Sequence, residues 1–233
     1  WKPENELVGK CRDQLPLYGM NTFAEIFTSR QLLGLSTFSD LVQEARERVI
    51  SEALAMGISG DGKNLDGGGN GATAYADAIA VYLGLAVSRT TNTINSLAVW
   101  SMSREQSVNL FSRQAIPMAW DFPEVNPFAG AAGDFGATTA SVANTISNAS
   151  DRIAWISQAD AQTQNVSKEK VISTDPPYYD NVCYADLSDF FYIWLRRSLR
   201  SVFPELFATL AVPKATELVA SASRHGSKLK AEE

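Results

Sequence analysis

The residues best suited to chemistry stand together at Asp175-Pro176-Pro177-Tyr178, directly after the segment 170–174, which we predict to be a short strand. Consecutive prolines fix the backbone angle φ near about −65° and remove two backbone hydrogen-bond donors. An ionised aspartate offers only acceptors. The sequence therefore predicts a stiff, acceptor-rich corner, suited to a substrate group that donates hydrogen bonds, such as an exocyclic amine.

Two aromatic residues, Tyr178 and Tyr179, adjoin this corner. A nucleobase stacked on such a ring gains about 1–3 kcal/mol in single-strand binders. The alternative interpretation is purely structural, because a pair of prolines after a strand also stiffens a loop. A four-residue match needs structural context before it indicates activity.

Asp-Pro-Pro-Tyr after an apolar strand resembles the catalytic motif of S-adenosylmethionine-dependent amino-methyltransferases, which methylate N6 of adenine or N4 of cytosine. The longer runs 174–182 and 184–192 are similar to a prokaryotic family of adenine-specific (N6) DNA methyltransferases, and so are residues 22–33 and 120–128. The likeness touches most of the chain. Only the corner, however, has an understood chemical role.

The resemblance implies that a base swings out of the duplex and donates its amine hydrogens to the Asp175 carboxylate and the Pro176 carbonyl. The gain is then mostly positioning and electrostatics. The implied catalytic residues are Asp175, Pro176, Pro177 and Tyr178, and the implied substrate-binding residues are Tyr179 and Asp180. The implied cofactor is S-adenosylmethionine, and the implied partner is DNA.

Two further segments bear on the cofactor. Asp160 stands where related enzymes carry an acid that binds the cofactor's adenine amine, although a surface aspartate in a turn is the alternative. Residues 126–134 resemble the loop that holds the cofactor's methionine part. Their glycine spacing is stretched, no apolar strand precedes them, and the distance to Asp175 is too short for the intervening βαβ units. The resemblance implies that the true cofactor loop lies in a part of the polypeptide upstream of this chain, and contact of 126–134 with the cofactor is the alternative.

Composition narrows the class of protein. The 233 residues are 45% hydrophobic, which is enough for a real core, and they contain no apolar run long enough to cross a membrane. Two cysteines and one histidine do not indicate a disulfide framework or a zinc site, and they fit a reducing cytoplasm. We interpret the chain as an internal fragment of a longer enzyme, inactive alone and completed by the remainder of its own polypeptide.

The net charge of −6 argues against a protein surface that binds DNA over its whole area. Residues 190–230, however, carry a surplus of five positive charges. This segment is either a contact for phosphates or a solvated helix face with a mobile tail.

Apolar periodicity predicts that helices dominate the fold. The resemblance implies an α/β fold with a partial Rossmann-like element and a large helical insertion. We expect a helical region at 1–125 with a glycine-rich loop at 57–71, a catalytic region at 126–212, and a C-terminal helix and polar tail at 213–233. Thr22 and Glu25 predict a capping box. The predicted helices cover 21–56, 73–87, 90–100, 107–113, 188–203 and 214–223. The run 151–161 is either a helix end or a short strand.

The function predicted is methylation of the N6 amine of adenine in DNA. A helical module that binds nucleic acid or protein, with a non-catalytic corner, is the alternative. Methylation of RNA or of a protein glutamine amide remains a third possibility, because related corners handle any planar NH₂ group.

Overall fold

The computed structural model describes residues 1–111, 113–146, 159–160, 162–175, 179–180, 182–215 and 217–232. Short 3₁₀ helices occupy Gly9–Cys11, Leu15–Tyr18 and Phe23–Ile26. The remaining elements are α1 (Ser29–Ala55), α2 (Ala72–Thr91), β1 (Val99–Ser101), β2 (Gln106–Val108), α3 (Phe135–Ile146), α4 (Tyr184–Leu199), α5 (Ala222–His225) and α6 (Lys228–Glu232). The predicted helix-dominated fold is thus confirmed. No described helix is long and apolar enough to span a bilayer.

Helix α1 begins at a capping box. The Thr28 hydroxyl accepts a hydrogen bond from the Gln31 N–H, and the Gln31 side-chain oxygen accepts from the Thr28 N–H at 2.8 Å. The predicted capping box of Thr22 and Glu25 is also confirmed, but it opens the 3₁₀ helix before α1. The predicted helical segment 21–56 is therefore two elements with a break at Phe27, whose backbone is extended.

Helix α2 is the centre of the helical body and packs against α1, α3 and α4. Most of its alanines and Gly84 are buried, so neighbouring helices approach closely. The carboxylate of Asp77 is fully buried and pairs with Arg46 of α1 at 2.5 Å. It also accepts a hydrogen bond from the Leu65 N–H, which fixes the glycine-rich loop between α1 and α2.

Helix α4 joins the two hydrophobic clusters. Phe190, Ile193 and Trp194 pack with the N-terminal 3₁₀ segments, including Phe23. Leu199, at the end of α4, packs with Val42, Val87 and Phe207, among others. The core therefore crosses the boundary predicted at residue 125.

Two predicted helices, at 90–100 and 107–113, are wrong. Helix α2 ends at Thr91, and the next elements are β1 and β2, an antiparallel pair in which Val99 opposes Val108. The Thr91 hydroxyl and the Asn95 amide donate to backbone carbonyls at the helix end. Such side chains compete with helical hydrogen bonds, while valine and tryptophan favour strands.

The C-terminal part brings three further corrections. Residues 170–174 are not a strand: Val171 is fully exposed and Ile172 is 64% exposed, and no described strand pairs with them. The helix predicted at 188–203 begins earlier and ends earlier, as α4. The helix predicted at 214–223 is wrong for the described residues 214–215 and 217–221, which are irregular. Lys214 and Glu217 of this segment contact α4 through their side chains.

The described residues contain one antiparallel strand pair and no parallel strands. The Rossmann-like element therefore stays a prediction. The run 151–158 and residue 161 lie outside the described residues.

Candidate functional site

The predicted catalytic corner lies at the surface. Asp175 is exposed, Tyr179 is 64% exposed, and Asp180 is exposed. Pro176, Pro177 and Tyr178 lie outside the described residues. The next described residues, Val182 and Cys183, are already buried, so the chain passes from solvent to core within a few positions.

The carboxyl side of the corner is anchored by the C-terminal segment. The Tyr179 carbonyl accepts a hydrogen bond from the Ala220 N–H at 2.8 Å. The Ala185 N–H, in the first turn of α4, donates to the Glu217 carboxylate at 2.9 Å. The C-terminal segment therefore holds the chain at two points, at Tyr179 after the corner and at Ala185 in the first turn of α4.

Two buried carboxylates of α4 bind this C-terminal segment. Asp186 and Asp189 stand one helical turn apart and are both nearly inaccessible to solvent. Asp186 pairs with Arg224 at 2.7 Å, and Asp189 pairs with Lys214 at 2.6 Å. Arg224 also pairs with Glu217. These acids belong to the run 184–192 that resembles the methyltransferase family, and here they stabilise the fold.

The basic segment 190–230 is largely occupied with internal partners. Besides Lys214 and Arg224, Arg196 donates to the Phe207 carbonyl and Arg197 pairs with Asp40. Lys214, Arg224 and Arg197 are thus paired with carboxylates within the fold, which leaves fewer charges for phosphates than the sequence predicts.

Asp160 is exposed and forms a turn. Its carboxylate accepts from the Gln162 N–H at 2.9 Å, and its carbonyl accepts from the Gln164 N–H at 3.0 Å. This is the turn role that the sequence offered as an alternative. One carboxylate oxygen accepts the Gln162 N–H, so the other can take a further donor; the cofactor role remains a prediction.

Two distant stretches that resemble the family meet at a cavity of about 390 Å³. Arg30 pairs with Glu124 at 2.5 Å, which ties the start of α1 to the segment before residue 126. The wall of the cavity combines Phe38 and Leu35 with polar groups. Its volume and mixed wall are typical of small-molecule sites.

Gln31 is the residue of this cavity that the sequence did not reveal. It is 4% exposed, and its amide nitrogen has no partner among the described residues. A buried donor without an acceptor is costly, and this nitrogen is itself covered from solvent in the described fold. The capping-box pattern at Thr28 marks Gln31 as a helix-start residue, but nothing local indicates that Asn126 and Pro127 come near it.

The loop 126–134 ends in a helix cap. The Asp134 carboxylate accepts from the Gly130 and Ala137 N–H groups at 2.9 and 2.8 Å, and these hydrogen bonds lower its pKa. Gly133 has φ +89°, and a side chain there would overlap Val125. The N–H groups at the start of α3 are thus satisfied by the loop itself.

The chain matches no known protein family, no characterised protein and no solved structure at a significant level. The resemblance to amino-methyltransferases therefore rests on the residues that carry it.

Proposed function

We propose that this chain is part of an S-adenosylmethionine-dependent methyltransferase that acts on the N6 amine of adenine in DNA. The observation that carries the proposal is the setting of Asp175. Its side chain is exposed, forms no ion pair with any described residue, and stands directly before the two prolines. A carboxylate committed to a structural ion pair would lack free acceptors for a substrate amine.

The proposed roles follow from the donors and acceptors of the corner. Asp175 and the Pro176 carbonyl accept the two amine hydrogens, and Pro177 keeps the backbone rigid. Tyr178 stacks on the base, while Tyr179 and Asp180 border the pocket. S-adenosylmethionine, when bound, supplies the methyl group, and Asp160 would accept a hydrogen bond from its adenine. The proposal includes the Rossmann-like element that such an enzyme needs.

The rival function is a helical binding module with a non-catalytic corner. It is favoured by the described body, in which helices surround α2 and the strands form one antiparallel pair. Electrophoretic shift with DNA distinguishes the two functions: binding that S-adenosylmethionine strengthens supports the enzyme, and binding indifferent to it supports the module.

The direct test is methyl transfer to adenine-containing DNA by the natural protein that carries this sequence. We expect Asp175→Ala to lower the rate about 100- to 1,000-fold, the usual loss of one well-placed polar contact in a transition state. Asp66→Ala, a change at an exposed residue of the glycine-rich loop, is the matched control. Full activity of Asp175→Ala would refute the assigned role. RNA and protein acceptors in the same assay test the third possibility.

A further inference from the structure

A second cavity, of about 320 Å³, lies between α2, the β1–β2 hairpin and the start of α3. Its lining residues differ from those of the cavity at Gln31. They include Ala131, Ala132 and Gly133 of the loop 126–134, to which the proposed function assigns no role. Its described lining residues include two arginines, Arg89 and Arg104, and no aspartate or glutamate. The lining itself is therefore positively charged, although the carboxylates of Glu105 and Asp134 adjoin lining residues in the chain.

Both arginines are free to meet an anion. Neither forms an ion pair with a described residue, in contrast to Arg46, Arg197 and Arg224. Arg89 donates one N–H to the Ser141 hydroxyl at 3.0 Å, which orients its guanidinium and leaves other N–H groups available. Arg104 is exposed in the turn of the hairpin.

Ser107 supplies the independent observation. It is 6% exposed, it forms part of the cavity wall, and its hydroxyl has no partner among the described residues. A buried hydroxyl without a hydrogen bond costs about 1–3 kcal/mol. The oxygen is covered in the described fold, so a molecule in the cavity would accept its hydrogen bond after the Ser107 side chain has rotated toward the cavity.

We propose that this cavity binds a phosphoryl group. Arg89 and Arg104, from different elements, line the cavity together with Ser107 and Thr138, and this donor-rich lining suits an anion with several oxygen acceptors. Arginine matches phosphate geometry better than lysine does. A carboxylate, with two oxygens, would leave more of these donors unpaired. The proposal does not depend on the methyltransferase function.

The binding test uses the full chain and isothermal titration calorimetry at low ionic strength, with inorganic phosphate, a dinucleoside monophosphate and acetate as probes. Phosphate is expected to bind more tightly than acetate. Arg104→Gln is expected to weaken phosphate binding about tenfold, the usual effect of one charge-assisted hydrogen bond. Arg12→Gln removes an exposed charge outside the cavity lining and should change binding less than twofold.

Ser107→Ala gives a second readout that a purely structural serine would not give. Removing the unpaired hydroxyl should leave the unliganded protein as stable or more stable, while phosphate binding weakens several-fold. Tighter binding of the dinucleoside monophosphate than of phosphate would identify nucleic acid as the source, and the reverse order would identify a free phosphate or phosphomonoester. The proposal fails if neither phosphate probe saturates, if acetate binds equally well, or if Arg12→Gln and Arg104→Gln have the same effect.

Discussion

Helix α2 contacts α4 at a glycine, and the contact predicts a cost for adding one methyl group. A Cβ placed on Gly84 would lie 2.9 Å from Cγ and Cδ2 of Leu199. Leu199 is 4% exposed and packs in a hydrophobic cluster, so it has little room to move. Overpacking of this kind costs about 1–3 kcal/mol.

Gly34, in the interior of α1, is the matched control because a Cβ there meets nothing within 4 Å. Replacing a helical glycine by alanine adds about 0.5–1 kcal/mol of stability, and this gain is common to both sites. The difference in unfolding free energy between Gly34→Ala and Gly84→Ala therefore isolates the steric cost. We expect Gly84→Ala to be the less stable variant by about 1–3 kcal/mol, and thermal unfolding followed by circular dichroism measures it.

A double variant tests the cause. Leu199→Ala removes the obstructing side chain, so Gly84→Ala should cost less in that background than in the natural protein, with a coupling energy of about 1–3 kcal/mol. Equal stability of the Gly34→Ala and Gly84→Ala variants, or a cost at Gly84 that persists without Leu199, would refute the close packing of α2 on α4.

Two further predictions concern buried ionisable groups. Asp77→Ala leaves Arg46 without its carboxylate and should lower the unfolding free energy by about 3 kcal/mol. The control, Arg48→Ala, is at an exposed pair and should leave the denaturant midpoint nearly unchanged. Equal midpoints for the two variants would contradict this prediction. Burial and the neighbouring Asp186 raise the pKa of the Cys11 thiol to about 12. The folded protein thus retains a proton that the unfolded chain loses above pH about 9, so stability should fall with rising pH by up to about 1.4 kcal/mol per unit; Cys11→Ala should remove that part of the slope.

Local signals in the sequence predict the helical elements near the N-terminus, because caps and apolar spacing are properties of neighbouring residues. The glycine-rich loop at 57–71 was also predicted as a connection between helices. The hairpin was missed, since Thr91 and Asn95 end α2 through hydrogen bonds of their own side chains. Apolar spacing alone predicts a helix over 90–100, because it takes no account of these polar side chains.

The sites depend on contacts that no local pattern encodes. Gln31 and Asn126 line one cavity, and Arg89 and Ser107 line the other, although the members of each pair stand far apart in the sequence. A sequence motif marks the corner at Asp175. No motif marks the two cavities, because their lining residues come from separate parts of the sequence.

The run 184–192 shows how a family-like pattern can arise from folding alone. Its aromatic residues, such as Phe190, fill the core, and its acids, Asp186 and Asp189, neutralise Lys214 and Arg224. Each of these positions is explained by burial or by an ion pair. The residues of this run therefore carry no evidence of chemistry, and the proposal depends on the short segment before it, where Asp175 is exposed.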